Sequence, residues 1–169
     1  MTMFYDVNLT LLREKAVIKF PPAIYMILAL TVSFAVHGQQ SSTIDSLKSE
    51  LRKHPGDPEL IYMIARQYQT INTDSAADYS RLLLARSAGD VQNTARACQL
   101  LSNVLLLKND LDSAVFFLKK GIAAIKQKGL EYETALYTQA LGQLYLNKGD
   151  IKKAVPEFNT GLDYFFKPS

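Results

Sequence analysis

Between residues 58 and 165 apolar side chains recur every three or four positions, the interval that gathers them on one side of a helix. Short polar breaks divide this pattern into six runs, which predicts helices over 58–71, 74–88, 92–108, 111–127, 131–147 and 151–165. The breaks carry residues that start and stop helices. Asp57, Pro58 and Glu59 offer an N-cap carboxylate, a proline at the first helical position and an acid at the positive end of the helix dipole. Lys128-Gly129 and Lys148-Gly149 each put a cation in a last turn and a glycine just beyond it, where a left-handed backbone costs least. Upstream, residues 41–54 (SSTIDSLKSELRKH) bring Ile44, Leu47 and Leu51 to one helical face with charges opposite, which predicts a short amphipathic helix covering the exposed face of the first helix pair.

The runs repeat. Leu107-Lys108-Asn109-Asp110 followed by Ala114 aligns with Asn147-Lys148-Gly149-Asp150 followed by Ala154, an offset of 40 residues, and Ala76 aligns with Ala114 at an offset of 38. Three copies of one helix pair at nearly one period mean a stacked helical array. Within the last copy, small residues at Ala140, Gly142, Ala154 and Gly161 mark where two helix backbones approach, and Tyr145 and Phe158 fill the space between them.

The amino terminus is a different object. Arg13, Lys15 and Lys19 precede an uncharged apolar run, residues 23–36 (AIYMILALTVSFAV), which gives way to the polar stretch GQQSST. As a helix this run spans about 21 Å, short of the roughly 30 Å of a bilayer core. The layout is that of an export signal, with cleavage expected after Gly38 or after Ala35. The domain limits that follow are a signal over 1–38, a linker with its short helix over 39–57 and the repeat domain over 58–169. The expected location is periplasmic or extracellular. An uncleaved run would instead anchor the chain in a membrane through its amino-terminal segment.

Composition narrows the chemistry. A chain with 48% hydrophobic and 21% charged residues has material for one globular domain, and its net charge of +3 is scattered, so nucleic acid is not an expected partner. Cys98, the single cysteine, lies in an apolar helical stripe and reads as a small buried hydrophobe. His37 falls in the leader and His54 beside Pro55, so the two histidines form no zinc pair. Glu131 and Glu133 are two apart and point to different sides of a helix. No enzyme activity, no cofactor and no metal site are expected.

The motif residues resemble the tetratricopeptide repeat, whose helix A carries a large residue, Leu-Gly and Tyr, and whose helix B carries a small residue, an aromatic and another small residue. The third copy is in register at Leu141-Gly142, Tyr145, Ala154, Phe158 and Gly161, and the second at Leu101-Ser102, Leu105, Ala114, Leu118 and Gly121. The first keeps Ile64-Ala65, Tyr68 and Ala76. The resemblance implies an all-α fold, a right-handed solenoid of about three antiparallel helix pairs. Its period here exceeds the usual 34 residues, so the helices or the links between them are longer.

In such an array helix A of each pair lines a concave face. The outward polar positions on these helices are Tyr62, Arg66, Gln69, Arg96, Gln99, Asn103, Gln139 and Gln143, amides and guanidiniums suited to an extended peptide backbone. Some family members grip a peptide carboxyl terminus with a Lys-Asn-Asn-Lys-Arg clamp. Arg66, Leu100, Leu136 and Ala140 stand at most of those positions here, which argues against that mode. The expected function is an exported, non-catalytic scaffold that binds a peptide or partner protein. The alternative is a truncated sensory ectodomain of a bacterial signal-transduction protein, a histidine kinase or helix-turn-helix regulator, whose extracytoplasmic segments are similar. Apolar Ile151, Val155, Phe158, Leu162 and Phe165 exceed what one inward face needs, so self-association through the carboxyl-terminal repeat is a further expectation.

Overall fold

The computed structural model describes residues 43–166. The expected signal, the start of the linker and the last three residues lie outside the described residues. Seven helices follow one another: α1 (residues 43–53), α2 (Pro58–Tyr68), α3 (Thr73–Arg86), α4 (Val91–Leu107), α5 (Leu111–Gln127), α6 (Glu131–Asn147) and α7 (Ile151–Phe165). The described fold is all-α, a solenoid of the pairs α2/α3, α4/α5 and α6/α7 in which every substantial contact among α2 to α7 joins helices one or two apart in the chain. No described helix is long and apolar enough to cross a membrane.

Side chains at the breaks fix the helix starts. Asp57 accepts from the amides of Glu59 and Leu60 at 2.9 and 3.3 Å. Asn72, Asp90, Asp110 and Asp150 each accept from the amide three residues on, at 2.9 to 3.2 Å. Before α5, α6 and α7 the chain turns through one left-handed residue, Asn109 (φ 60), Gly129 (φ 67) and Gly149 (φ 74). Asn109 thus occupies the slot that glycine holds in the next repeat, as a short polar side chain can.

Four of these helices run 15 to 17 residues, and links of three residues join them. α6 starts 40 residues after α4, at Glu131 and Val91, so longer helices account for the extended period. The first pair is shorter. α2 ends at Tyr68 rather than 71 because the amides of Ile71 and Asn72 both turn back to the Tyr68 carbonyl. α3 ends at Arg86 rather than 88, where the Ser87 hydroxyl donates to the Leu83 carbonyl at 2.6 Å and the chain enters Gly89 at φ 84.

The core forms along the pair seams. Ile61, Ala65, Leu83, Ala97 and Leu100 pack together, with Leu51 of α1 against them, so the amphipathic helix meets the first pair as expected. A larger cluster gathers Ala95, Ala114, Leu118, Ile122, Leu141, Tyr145 and Ala154 from α4 to α7. The small residues stand where helices touch. A Cβ on Gly121 would lie 3.2 Å from the Cys98 Cβ, one on Gly142 3.0 Å from the Phe158 ring, and one on Gly161 3.2 Å from the Ala135 carbonyl oxygen. Cys98 is fully buried, and burial pushes its thiol up and away from the reactive thiolate.

Two ion pairs tie successive pairs together. Asp74 at the start of α3 meets Lys108 at the end of α4, and Asp112 at the start of α5 meets Lys148 at the end of α6. The Lys108 ammonium holds the Asp74 carboxyl below its ordinary value, Ser113 does the same for Asp110, and Lys153 for Asp150. A depressed folded pKa stabilises the fold above the unfolded value near 3.8 and ceases to do so as pH falls through the lower folded values. The melting temperature should therefore hold from neutral pH to about pH 4 and then fall. Asp110→Asn with Asp150→Asn keeps both caps without titrating, and should flatten part of that fall. An unchanged acid profile in the double variant would show that these carboxylates do not drive it.

Candidate functional site

The helix A surface is built from α2, α4 and α6. Arg96 of α4 is held by two residues of α2 from different directions. The Glu59 carboxylate accepts from an Arg96 guanidinium nitrogen at 2.7 Å, and the guanidinium carbon lies 4.9 Å from the centre of the Tyr62 ring. Both partners are partly exposed, with side-chain exposures of 31% for Arg96 and 57% for Glu59, so the pair contributes orientation more than stability. A guanidinium has five N–H donors, and the ion pair and ring face leave several free for a carbonyl or carboxylate.

The other expected site residues fall in different settings. Arg66, Asn103 and Gln143 are exposed, and Gln143 donates to the Asn147 side chain at 3.1 Å. Gln69 and Gln99 are half-buried, and Gln69 reaches the Leu100 carbonyl at 3.5 Å, bridging α2 to α4. Gln139 is half-buried with its stem beside Gly161 of α7. The structure thus brings Tyr62 and Arg96 together and commits Gln69 to α4.

One residue that the sequence pattern hid joins this face, and one buried residue, Tyr137, acts on it. Glu59 reads as a helix-start acid and serves also as the partner of Arg96, 37 positions away. Tyr137 belongs to the apolar stripe that continues at Leu141 and Tyr145, which is a core signal, and it is a core residue. Burial raises its phenol to about 12, with Tyr62 adding to the rise and Arg96 opposing it. Tyr137 therefore stays a neutral phenol at physiological pH.

The described residues hold no group of three or more His, Cys, Asp or Glu that could hold a metal ion. A cavity of about 450 Å³ opens where α5 ends, α6 begins and α7 ends, lined by Lys126, Glu131, Thr134 and Asp163.

A sequence model of the tetratricopeptide repeat matches residues 95–128 and 138–166, the second and third helix pairs. A search of the curated proteins found no match. Among solved structures, one titled "MamA RS-1 ArsTM double mutant" superposes with a TM-score of 0.61 at 19% identity, covering 79% of this chain and 70% of that one. A second, titled MamA 41-end from Desulfovibrio magneticus RS-1, is 15% identical with a TM-score of 0.37, over 86% of this chain and 96% of that one. The first of these, at a TM-score of 0.61, establishes the shared helical-repeat fold.

Proposed function

We propose that this chain, whose residues 95–128 and 138–166 are tetratricopeptide repeats, is an exported scaffold that binds an extended segment of a partner protein on its helix A face. The repeat fold itself is that of a protein-interaction scaffold, typically non-catalytic. What carries the choice of face is Arg96, held ready by Glu59 and Tyr62 at the middle of the three helix A surfaces. Pre-positioned arginine and tyrosine are the residue types that dominate peptide-binding energy, because little conformational freedom remains to be lost on contact.

The full chain can be screened against an array of extended peptides. Peptides that bind should lose about tenfold in affinity with Arg96→Met, the size of one well-placed arginine contact. Lys120→Met, on the exposed side of α5, should leave binding unchanged. Equal losses in both variants would point to net charge, and no loss with Arg96→Met would move the site elsewhere.

Export is the second part of the reading, and the charged leader before the apolar run of 23–36 supports it. Protein recovered from its native cell envelope should have a mass that begins at residue 36 or 39. An intact amino terminus would replace the cleaved signal with a membrane anchor. Self-association through α7 is the third part. Ile151 and Phe166 are 63% and 77% exposed, and Val155, Leu162 and Phe165 extend the apolar surface between them.

A further inference from the structure

A second cavity, of about 540 Å³, lies between α1, the turn leading into α2, and the outer side of α3. Its lining shares no residue with the helix A face. Leu51, Ile61, Leu82 and the ring of Tyr79 make an apolar floor, and Lys48, Arg52 and Arg86 stand around it. No acidic side chain lines the cavity. Of the acids nearest in sequence, Asp45 acts on Lys48, while Glu50 is engaged with Lys53 and His54, Glu59 with Arg96, Asp78 with Arg81, and Asp57 and Asp90 with the first amides of α2 and α4. Lys48 rests over the Tyr68 ring at 5.0 Å, but Arg52 and Arg86 have no ion-pair partner among the described residues.

The turn is shaped around one of these cations. Gly56 adopts φ +106, which side-chain-bearing residues rarely reach, and a Cβ there would lie 2.5 Å from an Arg86 guanidinium nitrogen. Absence of that Cβ lets the guanidinium lie across the turn at the cavity's edge. A cavity of this size with an apolar floor and two arginines without ion-pair partners among the described residues is suited to a small ligand with an apolar body and one negative end. We propose that this cavity binds a small amphiphilic anion, a carboxylate or phosphate on a short apolar body, with Arg86 and Arg52 taking the anionic head and Leu51, Ile61 and Leu82 the body.

Calorimetric titration of the full chain tests this with octanoate, octanol, acetate and inorganic phosphate as probes. Octanoate should bind at least about tenfold more tightly than octanol, which lacks the charge, and than acetate or phosphate, which lack the body. Two dipeptide probes, N-acetyl-Phe-Leu with a free and an amidated carboxyl end, separate the sources of such a head: tighter binding of the free-ended peptide than of octanoate assigns a peptide terminus, the reverse a free acid, and both uphold the site. Arg86→Met and Arg52→Met should each weaken octanoate about tenfold, with the helical circular dichroism unchanged. Arg81→Met, on the same helix but paired with Asp78, should not. Gly56→Ala, which displaces Arg86, should weaken octanoate as Arg86→Met does; should it impair folding, the two arginine variants still decide. Octanoate and octanol binding equally, no binding at millimolar octanoate, or the same loss from Arg81→Met as from Arg86→Met would overturn the proposal.

Discussion

Leu118→Ala should destabilise the chain by about 3 kcal/mol, a large share of what a domain this size has. Leu118 is 2% exposed and belongs to the cluster that takes residues from α4, α5, α6 and α7. Truncation removes buried methyl groups and leaves a void, and the long flanking helices cannot collapse into it without breaking their other contacts. In urea the unfolding midpoint should drop while the slope stays the same. Leu107→Ala, at a position 62% exposed, is the comparison and should change stability by less than about 0.5 kcal/mol. A loss below about 1 kcal/mol for Leu118→Ala would mean that the seam between the second and third pairs repacks easily.

Gly121→Leu should cost a similar amount by the opposite mechanism. An added Cβ meets the Cys98 Cβ at 3.2 Å and the Ala95 carbonyl oxygen at 3.4 Å, and both atoms are fixed to the backbone of α4. A leucine must therefore push α4 and α5 apart, at about 3 kcal/mol. Gly121→Ala separates crowding from chain stiffness. It gains about 1 kcal/mol of helix propensity and meets those two contacts with no atom beyond the Cβ, so it should come out near neutral. Equal effects of alanine and leucine would show that the glycine is there for its backbone and not for the space it leaves.

The fold was legible because the second and third pairs announce their own ends. α5, α6 and α7 begin and end where the pattern puts them, since Asp110, Asp150, Gly129 and Gly149 act locally, within a turn of the residue they control. The first pair was read two or three residues too long, because nothing near Tyr68 or Arg86 in sequence has the punctuation of a Lys-Gly pair. Of the helix A surface, Tyr62 and Arg96 were legible as polar positions on predicted helices. Their union with Glu59 was not, because it depends on how far one helix pair is translated from the next. The cavity beside α1 was hidden for the same reason: Arg52, Gly56 and Arg86 come from three segments that only packing brings together.

The neighbour-only contacts of α2 to α7 bear on how this protein comes to be folded in a cell. No helix in that series waits for a partner made much later, so each pair can dock on its predecessor as synthesis proceeds, with little loop-closure entropy to overcome. A polypeptide of this kind assembles in the order in which it emerges, and a chain free as far as Gln127 already has every partner that α2, α3 and α4 need among α2 to α5.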